Sequence, residues 1–237
     1  MIFKMNLQLF GGRGGSSGMG GGGGGVKSVY DDDGSRIDLS ETPLKYGEKD
    51  LHVTGEIRDK VEEFEERRFN SDREYSFCVD KDGNIVGENR GGKSSVRVPI
   101  KNGESGQTNS HIHSREKGVL GGTFSLGDIK VLSLDEFNTV RARAKEGTYS
   151  ISKRGNFDAE GLIKYTKKFE RKLRKEYRDR NNSIRDQYQR GDITYEVAKT
   201  QLNKSFNRYL VESHEQFLAG RDRYGYDYTL ERVRRKK

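Results

Sequence analysis

Apolar residues recur at every third or fourth position over residues 54–69. Ile57, Val61 and Phe64 form one stripe, and glutamates occupy most of the positions between them. A period near 3.6 residues is typical of an amphipathic helix that lies on an apolar surface. The pattern therefore predicts a helix that begins near Thr54.

Runs rich in β-branched and aromatic residues follow this helix. Residues 74–79 and 85–87 flank a turn that contains Asp-Gly, which predicts a β-hairpin. A third strand is expected at residues 95–100, and residues 147–152 predict another. Between these two lies a strand that carries a pair of histidines.

The pattern becomes helical again after the histidine strand. A helix is expected to begin near Ser125 and to reach Leu132, and residues 135–146 are ambiguous, with a second short helix as one interpretation. Helix, strands, helix and strand together predict a small α/β domain over residues 50–157.

The remainder, residues 158–237, predicts a basic α-helical hairpin and tail. Two amphipathic stripes are separated by Gly191-Asp192, which indicates two helices joined by a short connection. The exposed faces are rich in cations, among them Lys167, Lys168, Arg171, Lys172, Arg174 and Lys175. We predict weak contact with nucleic acid through this hairpin, with an ordinary solvated helix surface as the alternative.

The first 49 residues predict a disordered leader and tether. Residues 1–10 precede a tract from Gly11 to Gly25 in which glycine dominates. Such a tract cannot recover its ordering entropy by burying side chains.

Composition limits both the core and the location of the protein. Only 30% of the 237 residues are hydrophobic and 35% are charged, so we expect one modest core with polar appendages. The net charge of +8 favours acidic or polyanionic partners. A single cysteine, Cys78, fits a reducing compartment, and no apolar run approaches the roughly 20 residues of a membrane span. These features predict a protein of the cytoplasm, alone or carried in a particle assembled there, with no membrane contact.

The residues with the clearest chemistry lie between positions 109 and 128. His111 and His113 are two apart, so on a strand their imidazoles project from the same face. Ser125 and Asp128 follow at the start of the next helix, where Ser125 is a candidate N-cap. Two imidazoles, a carboxylate and an open position form the ligand set of a catalytic zinc ion.

At these positions the sequence resembles the JAB/JAMM family of zinc-dependent peptidases and isopeptidases. The motif is His-x-His, a spacer, then Ser-x-x-Asp, and here the spacer has eleven residues. The resemblance covers about residues 50–157 and implies a cytidine-deaminase-like mixed α/β sandwich. It implies Zn²⁺ bound by His111, His113 and Asp128. Ser114 stands where the family usually has proline, and the spacer is longer than usual.

The same resemblance implies roles for two further residues. Ser125 would donate a hydrogen bond to the developing oxyanion, and a glutamate before the first core strand would act as general base. Glu74 occupies that place, with Glu66 and Glu88 as weaker candidates. The alternative for Glu74 is a solvated charge at the edge of a strand.

A short segment at the N-terminus suggests a source. MNLQLF, which begins at Met5, looks like a leader found on many head and capsid proteins of tailed phages, and it makes Met5 an alternative start of translation. The first hypothesis is thus a phage-encoded zinc metalloprotease or isopeptidase that acts on a protein substrate. The alternatives are a head-morphogenesis or minor capsid protein with a non-catalytic JAB-like fold, which would contact phage head proteins, and a nucleic-acid-binding accessory protein.

Overall fold

The structure is a computed structural model that describes residues 25–30, 35–93, 95–113 and 118–232. The N-terminal segment that resembles a phage leader lies outside these ranges. The strands are β1 (Ser28–Tyr30), β2 (Arg36–Asp38), β3 (Tyr75–Val79), β4 (Ile85–Arg90), β5 (Gln107–Ile112), β6 (Phe137–Arg143), β7 (Thr148–Lys153) and β8 (Tyr226–Glu231). The helices are α1 (Gly55–Arg68), α2 (Leu126–Leu132), α3 (Ala159–Gln189) and α4 (Tyr195–Tyr224).

Six of the strands form one mixed sheet in the order β4-β3-β5-β6-β7-β8. β5 and β6 are parallel and the other neighbours are antiparallel. A parallel pair requires a crossover connection, and α2 lies in this one. The C-terminal end of β5 and the beginning of α2 are consequently brought to the same part of the sheet.

The sheet is covered on both faces. On one face, α1 packs against the centre through Val61 and Phe64, and the ring of Phe64 stacks on Phe77 of β3 with centroids 4.9 Å apart. On the other face a larger core includes α2, α3 and α4, with Ile129, Leu162 and Phe217 among its members. The mixed α/β class predicted from the sequence is confirmed at this level.

The segment from residue 25 to residue 49 differs from the predicted tether. β1 and β2 form a two-stranded antiparallel sheet, and Val29, Ile37, Leu39 and Leu44 are buried in the larger core. The apolar residues of this segment are too widely spaced to form a recognisable strand pattern among the neighbouring glycines and aspartates. The described part of this segment is therefore part of the fold.

Two other local predictions are wrong, and a segment that the sequence left ambiguous contains a strand. Residues 95–100 form no strand, and the ambiguous segment 135–146 contains β6 where a helix was one interpretation. β6 is buried on both faces, so the alternation that would reveal a strand is absent from it. β8, in the predicted helical tail, returns to the sheet beside β7.

The helical hairpin predicted after residue 158 is present as α3 and α4. Its base packs on the sheet through Leu162, Phe169, Phe217 and Tyr224. Farther out, aromatic contacts join the two helices, including Tyr188 and Tyr195 near the connection. None of the helices in the described ranges combines the length and apolar character that a membrane crossing requires.

Candidate metal centre

The histidine strand β5 ends beside the crossover helix α2. His111 is paired with Ser76 of β3 on one side and with Ala142 of β6 on the other. His111 and His113 both project toward the face that carries α2, and both are buried. The alternation of strand side chains thus places the two imidazoles side by side.

His111 lies beside both the second imidazole and the carboxylate of Asp128. His113 Nε2 lies 2.9 Å from His111 Nε2, and His111 Nε2 lies 3.5 Å from Asp128 Oδ1. Donors about 2.0–2.1 Å from a tetrahedral zinc ion are about 3.3 Å apart, which is close to the two separations that His111 Nε2 makes with His113 and with Asp128. The donor set of two nitrogens and one carboxylate oxygen also suits zinc.

A second contact sets the tautomer of neutral His113. Its Nδ1 lies 3.0 Å from the carbonyl oxygen of Gly122. A carbonyl can only accept, so Nδ1 must carry the proton, and Nε2 is left with a lone pair directed toward His111. Hydrogen bonds of this kind orient metal-binding histidines in proteins.

Asp128 is oriented by the N-terminus of its own helix. The backbone N–H of Ser125, the N-cap residue, donates to Asp128 Oδ2 at 2.6 Å, and the Ser125 hydroxyl donates to the same oxygen at 2.8 Å. Oδ1 is the oxygen that faces His111. The Ser125 hydroxyl therefore holds a metal-ligand candidate, and it would have to rotate to reach a substrate oxygen.

Of the three glutamates considered as a general base, only Glu74 lies directly before a strand with its side chain on the face of the sheet that carries the histidines. The pairing of Tyr75 with Ile112, continued by one residue, sets Glu74 opposite His113, and Glu74 is 5% exposed. Glu88 instead lies opposite Phe77, on the face covered by α1, and forms ion pairs with Arg67 and Arg68. Glu66 is exposed on α1.

Glu146 is a residue at the site that the sequence patterns do not reveal. Its carboxylate is buried and accepts hydrogen bonds from the backbone N–H groups of Gly121 and Gly122. It lies 33 residues beyond His113 in the chain, in the turn after β6. Only the parallel pairing of β5 with β6 brings that turn beside the histidine loop.

A second group of carboxylates, Asp80, Asp82 and Glu104, has oxygens within 4.8 Å of one another and could hold a metal ion. Two lysines pair with it: Lys101 is 3.3 Å from Asp80 and 2.5 Å from Glu104, and Lys81 is 2.6 Å from Asp82. Burial would raise the pKa of Asp80, but hydrogen bonds from Asn84 and Lys101 outweigh burial and lower it to about 2. The carboxylate of Asp80 accordingly organises the β3–β4 turn.

Three other residues with suggestive chemistry have structural roles. Burial raises the pKa of the Cys78 thiol to about 12, so it is a poor nucleophile. His52 pairs with Asp227 at the surface, 2.8 Å apart. His214 is fully buried between the hydroxyl of Tyr228 and the carbonyl of Lys45, each 2.8 Å away.

Comparison of the chain with protein-family models, with curated proteins and with solved structures finds no match. The function must be inferred from the chemistry of the site itself.

Proposed function

We propose that the chain is a phage-encoded, zinc-dependent hydrolase of the JAB/JAMM type that cleaves a peptide or isopeptide bond. The observation that carries the proposal is the position of His111, whose Nε2 lies 2.9 Å from His113 Nε2 and 3.5 Å from Asp128 Oδ1. The order of elements supports it as well: a leading helix, a glutamate, a hairpin, the histidine strand, and then a helix that begins at Ser-x-x-Asp.

The ligand residues have separate tasks in this proposal. His113 presents a lone pair because its other nitrogen donates to Gly122, and Asp128 presents Oδ1 because Ser125 holds Oδ2. A zinc ion bound by the three side chains would act as a Lewis acid, lowering the pKa of a water molecule and polarising the scissile carbonyl. The side chain of Asp128 is 20% exposed, which leaves this ligand accessible from solvent.

Glu74 would carry the proton in the reaction. The attacking water gives a proton to the Glu74 carboxylate while its oxygen bonds to the carbonyl carbon. The carbon–nitrogen bond then breaks, and Glu74 returns the proton to the leaving amine. Glu74 is buried directly before Tyr75, which pairs with Ile112 of the histidine strand, and this position is compatible with the role.

A second candidate function is a head-assembly protein that keeps the metal site but does not hydrolyse a substrate. The hydrogen bond from the Ser125 hydroxyl to Asp128 favours it, because this hydroxyl is then engaged with a ligand and not with a substrate oxygen. In this case phage head proteins would be binding partners.

Metal analysis of the purified full-length chain tests the proposal. We expect about one equivalent of zinc in the wild type and in Glu74→Gln, and less than about a tenth in His113→Ala. An internally quenched peptide library that includes ε-linked lysine isopeptides then reports hydrolysis, which we expect to fall at least about 100-fold in Glu74→Gln. A zinc-free wild type would overturn the site, and a zinc-loaded wild type without hydrolysis would favour the assembly role.

A further inference from the structure

One carboxylate, that of Glu146, binds the loop that connects the histidine strand to α2. Glu146 Oε2 accepts from the N–H of Gly121 at 2.8 Å, and Oε1 accepts from the N–H of Gly122 at 2.7 Å. Each carboxylate oxygen thus binds one of two successive backbone amides. The loop peptide can be displaced only if both charge-assisted hydrogen bonds are broken.

Glycine is required at both positions because neighbouring side chains leave no room for a Cβ. A Cβ on Gly121 would lie 2.6 Å from the Cβ of Ala144, and a Cβ on Gly122 would lie 2.6 Å from Leu210. Gly122 also has φ of +81°, in the left-handed region that side chains disfavour. The two residues therefore fit because they have no side chains and can lie against Glu146.

Gly122 also contacts the candidate metal ligand His113, through its carbonyl group. The carbonyl of Gly122 accepts from His113 Nδ1 at 3.0 Å, while the N–H of Gly122 donates to Glu146. The carboxylate thereby fixes the position of the carbonyl that selects the tautomer of His113.

We propose that Glu146 is a positioning residue of the metal centre, acting on His113 through Gly122. This inference rests on the proposed zinc site. Glutamine at position 146 could accept from only one of the two amides, because its NH₂ group would meet the N–H of the other. The carbonyl of Gly122 would then shift, and His113 would be oriented less well.

The test measures metal affinity in the full-length protein by competition with a chromophoric chelator. Glu146→Gln is expected to weaken zinc affinity about tenfold and to change the absorption spectrum of the cobalt-loaded protein, because the ligand geometry changes. Tyr46→Phe is the matched control: it removes a hydrogen bond of 2.5 Å to the backbone carbonyl of Glu146 and leaves the carboxylate untouched. It should keep the wild-type affinity and cobalt spectrum.

Each outcome bears on the inference separately from the proposed function. A wild type that binds no zinc overturns the proposed site itself. A wild type that binds zinc, with Glu146→Gln equal to it, overturns the role of Glu146 alone. If Glu146→Gln does not fold, Glu146→Asp replaces it, because its side chain is one methylene shorter and withdraws the carboxylate from the two amides; unchanged affinity there would also overturn the inference.

An independent feature of the molecule is a cationic groove beside the base of the hairpin. The groove has a volume of about 960 Å³, and its apolar part is formed by Tyr165, Phe169 and Tyr224. Its rim includes six exposed cations from one side of α3: Lys164, Lys168, Arg171, Lys172, Lys175 and Arg178. At 100° per residue these six fall within about 120° of the helix circumference.

Most of these charges are not neutralised by the protein. Lys164 pairs with Glu160, and Lys172 lies 3.8 Å from Glu176. Lys168, Arg171, Lys175 and Arg178 have no carboxylate within 4.0 Å among the described residues. These four follow one another at steps of about 4.5–6 Å along the axis.

We infer that this groove binds the backbone of a single-stranded nucleic acid. An even row of unpaired cations suits a polymer with evenly repeated charge. The ring of Tyr165, which is partly exposed and contacts the buried rings of Phe169 and Tyr224, suits an unstacked base more than a closed duplex. An acidic protein segment carries less regular charge and is the competing occupant.

Fluorescence anisotropy with a labelled 20-nucleotide oligo-dT tests this inference. The triple variant Lys168→Gln, Arg171→Gln, Lys175→Gln should lower the slope of log affinity against log salt by about 2, at about 0.7 per lost phosphate contact. The control Lys27→Gln, Lys49→Gln, Lys199→Gln removes the same charge from exposed positions outside the groove and should leave the slope unchanged.

Equal weakening in both triple variants would overturn the groove as the site, because net charge alone would then explain binding. Binding of poly-glutamate as tightly as oligo-dT would overturn nucleic acid as the occupant.

Discussion

The two faces of the six-stranded sheet are built from different chemistry although they alternate along the same strands. In β6, Val140 and Ala142 belong to the large apolar core, while Arg141 points to the opposite face and is 1% exposed. In β7, Tyr149 and Ile151 face the apolar core, and the residues that alternate with them are Thr148, Ser150 and Ser152. A single strand thus contributes to an apolar core and to an ionic one.

The ionic face is centred on Glu65 of α1. The carboxylate accepts from Ser110 at 2.8 Å, from Arg141 at 2.9 Å and from Thr148 at 3.2 Å. Burial would raise the pKa of Glu65, but the charge and hydrogen bonds of Arg141 outweigh burial and lower it. Arg141 in turn reaches Glu231 of β8, 3.4 Å away, which also pairs with Arg58 of α1. The network joins the first helix to the last strand.

The comparison shows that the two faces should respond differently to substitution. An apolar core loses stability in proportion to the volume removed. An ionic core loses stability mainly when one partner is left charged and buried alone, and it can recover when both partners are replaced.

The largest expected effect is on the ionic face. Arg141→Met leaves the buried carboxylate of Glu65 without its cation and should lower the free energy of unfolding by about 3–5 kcal/mol. The double variant Glu65→Leu, Arg141→Met should recover most of that loss. Urea denaturation of both singles and the double measures the coupling. Leu162→Ala, on the apolar face, should lower the free energy of unfolding by about 2–5 kcal/mol. An uncoupled Glu65–Arg141 pair would contradict this view of the ionic face.

The next effect is a pH response of the apolar face. Burial lowers the pKa of His214 from 6.5 to about 4, so the folded protein keeps it neutral. The unfolded chain binds a proton below about pH 6.5, and stability should therefore be complete above that pH and fall by about 3 kcal/mol as the pH decreases toward 4. Measuring the free energy of unfolding as a function of pH tests this expected loss of stability.

His214→Gln is the matched control for this pH response. Its amide can accept from the Tyr228 hydroxyl and donate to the Lys45 carbonyl, which are the two partners of His214, but it does not titrate. The wild-type slope between pH 6.5 and 4.5 should be steeper by up to about 1.4 kcal/mol per pH unit. Parallel curves for the two proteins would assign the acid sensitivity to other groups.

The smallest expected effect is the difference in stability between losing a hydrogen bond to a charged group and losing one between neutral groups. Ser110→Ala removes a donor to the Glu65 carboxylate and should cost about 2 kcal/mol. Ser152→Ala removes a buried hydroxyl pair with Thr139, 2.8 Å long, and should cost about 1 kcal/mol. Thermal or urea unfolding of the two variants gives the difference. Equal costs would mean that the Glu65 carboxylate is no more sensitive to a lost donor than a neutral hydroxyl.

The sequence by itself determined the elements that carry a clear local period. α1, α2, α3 and α4 follow from helical spacing, and the β3–β4 hairpin follows from its Asp-Gly turn. It also determined that His111 and His113 share a face, since two residues on a strand separated by one always do. These features depend only on neighbours in the chain.

Tertiary structure decided the rest, because the interactions involved join distant residues. The sequence of β6 shows no alternation of apolar and polar residues, because both of its faces are buried. β8 is a strand because it pairs with β7. The approach of Asp128 to His111 depends on the parallel pairing of β5 with β6 around α2. The same pairing brings Glu146 under the histidine loop, where no spacing in the sequence could have indicated it.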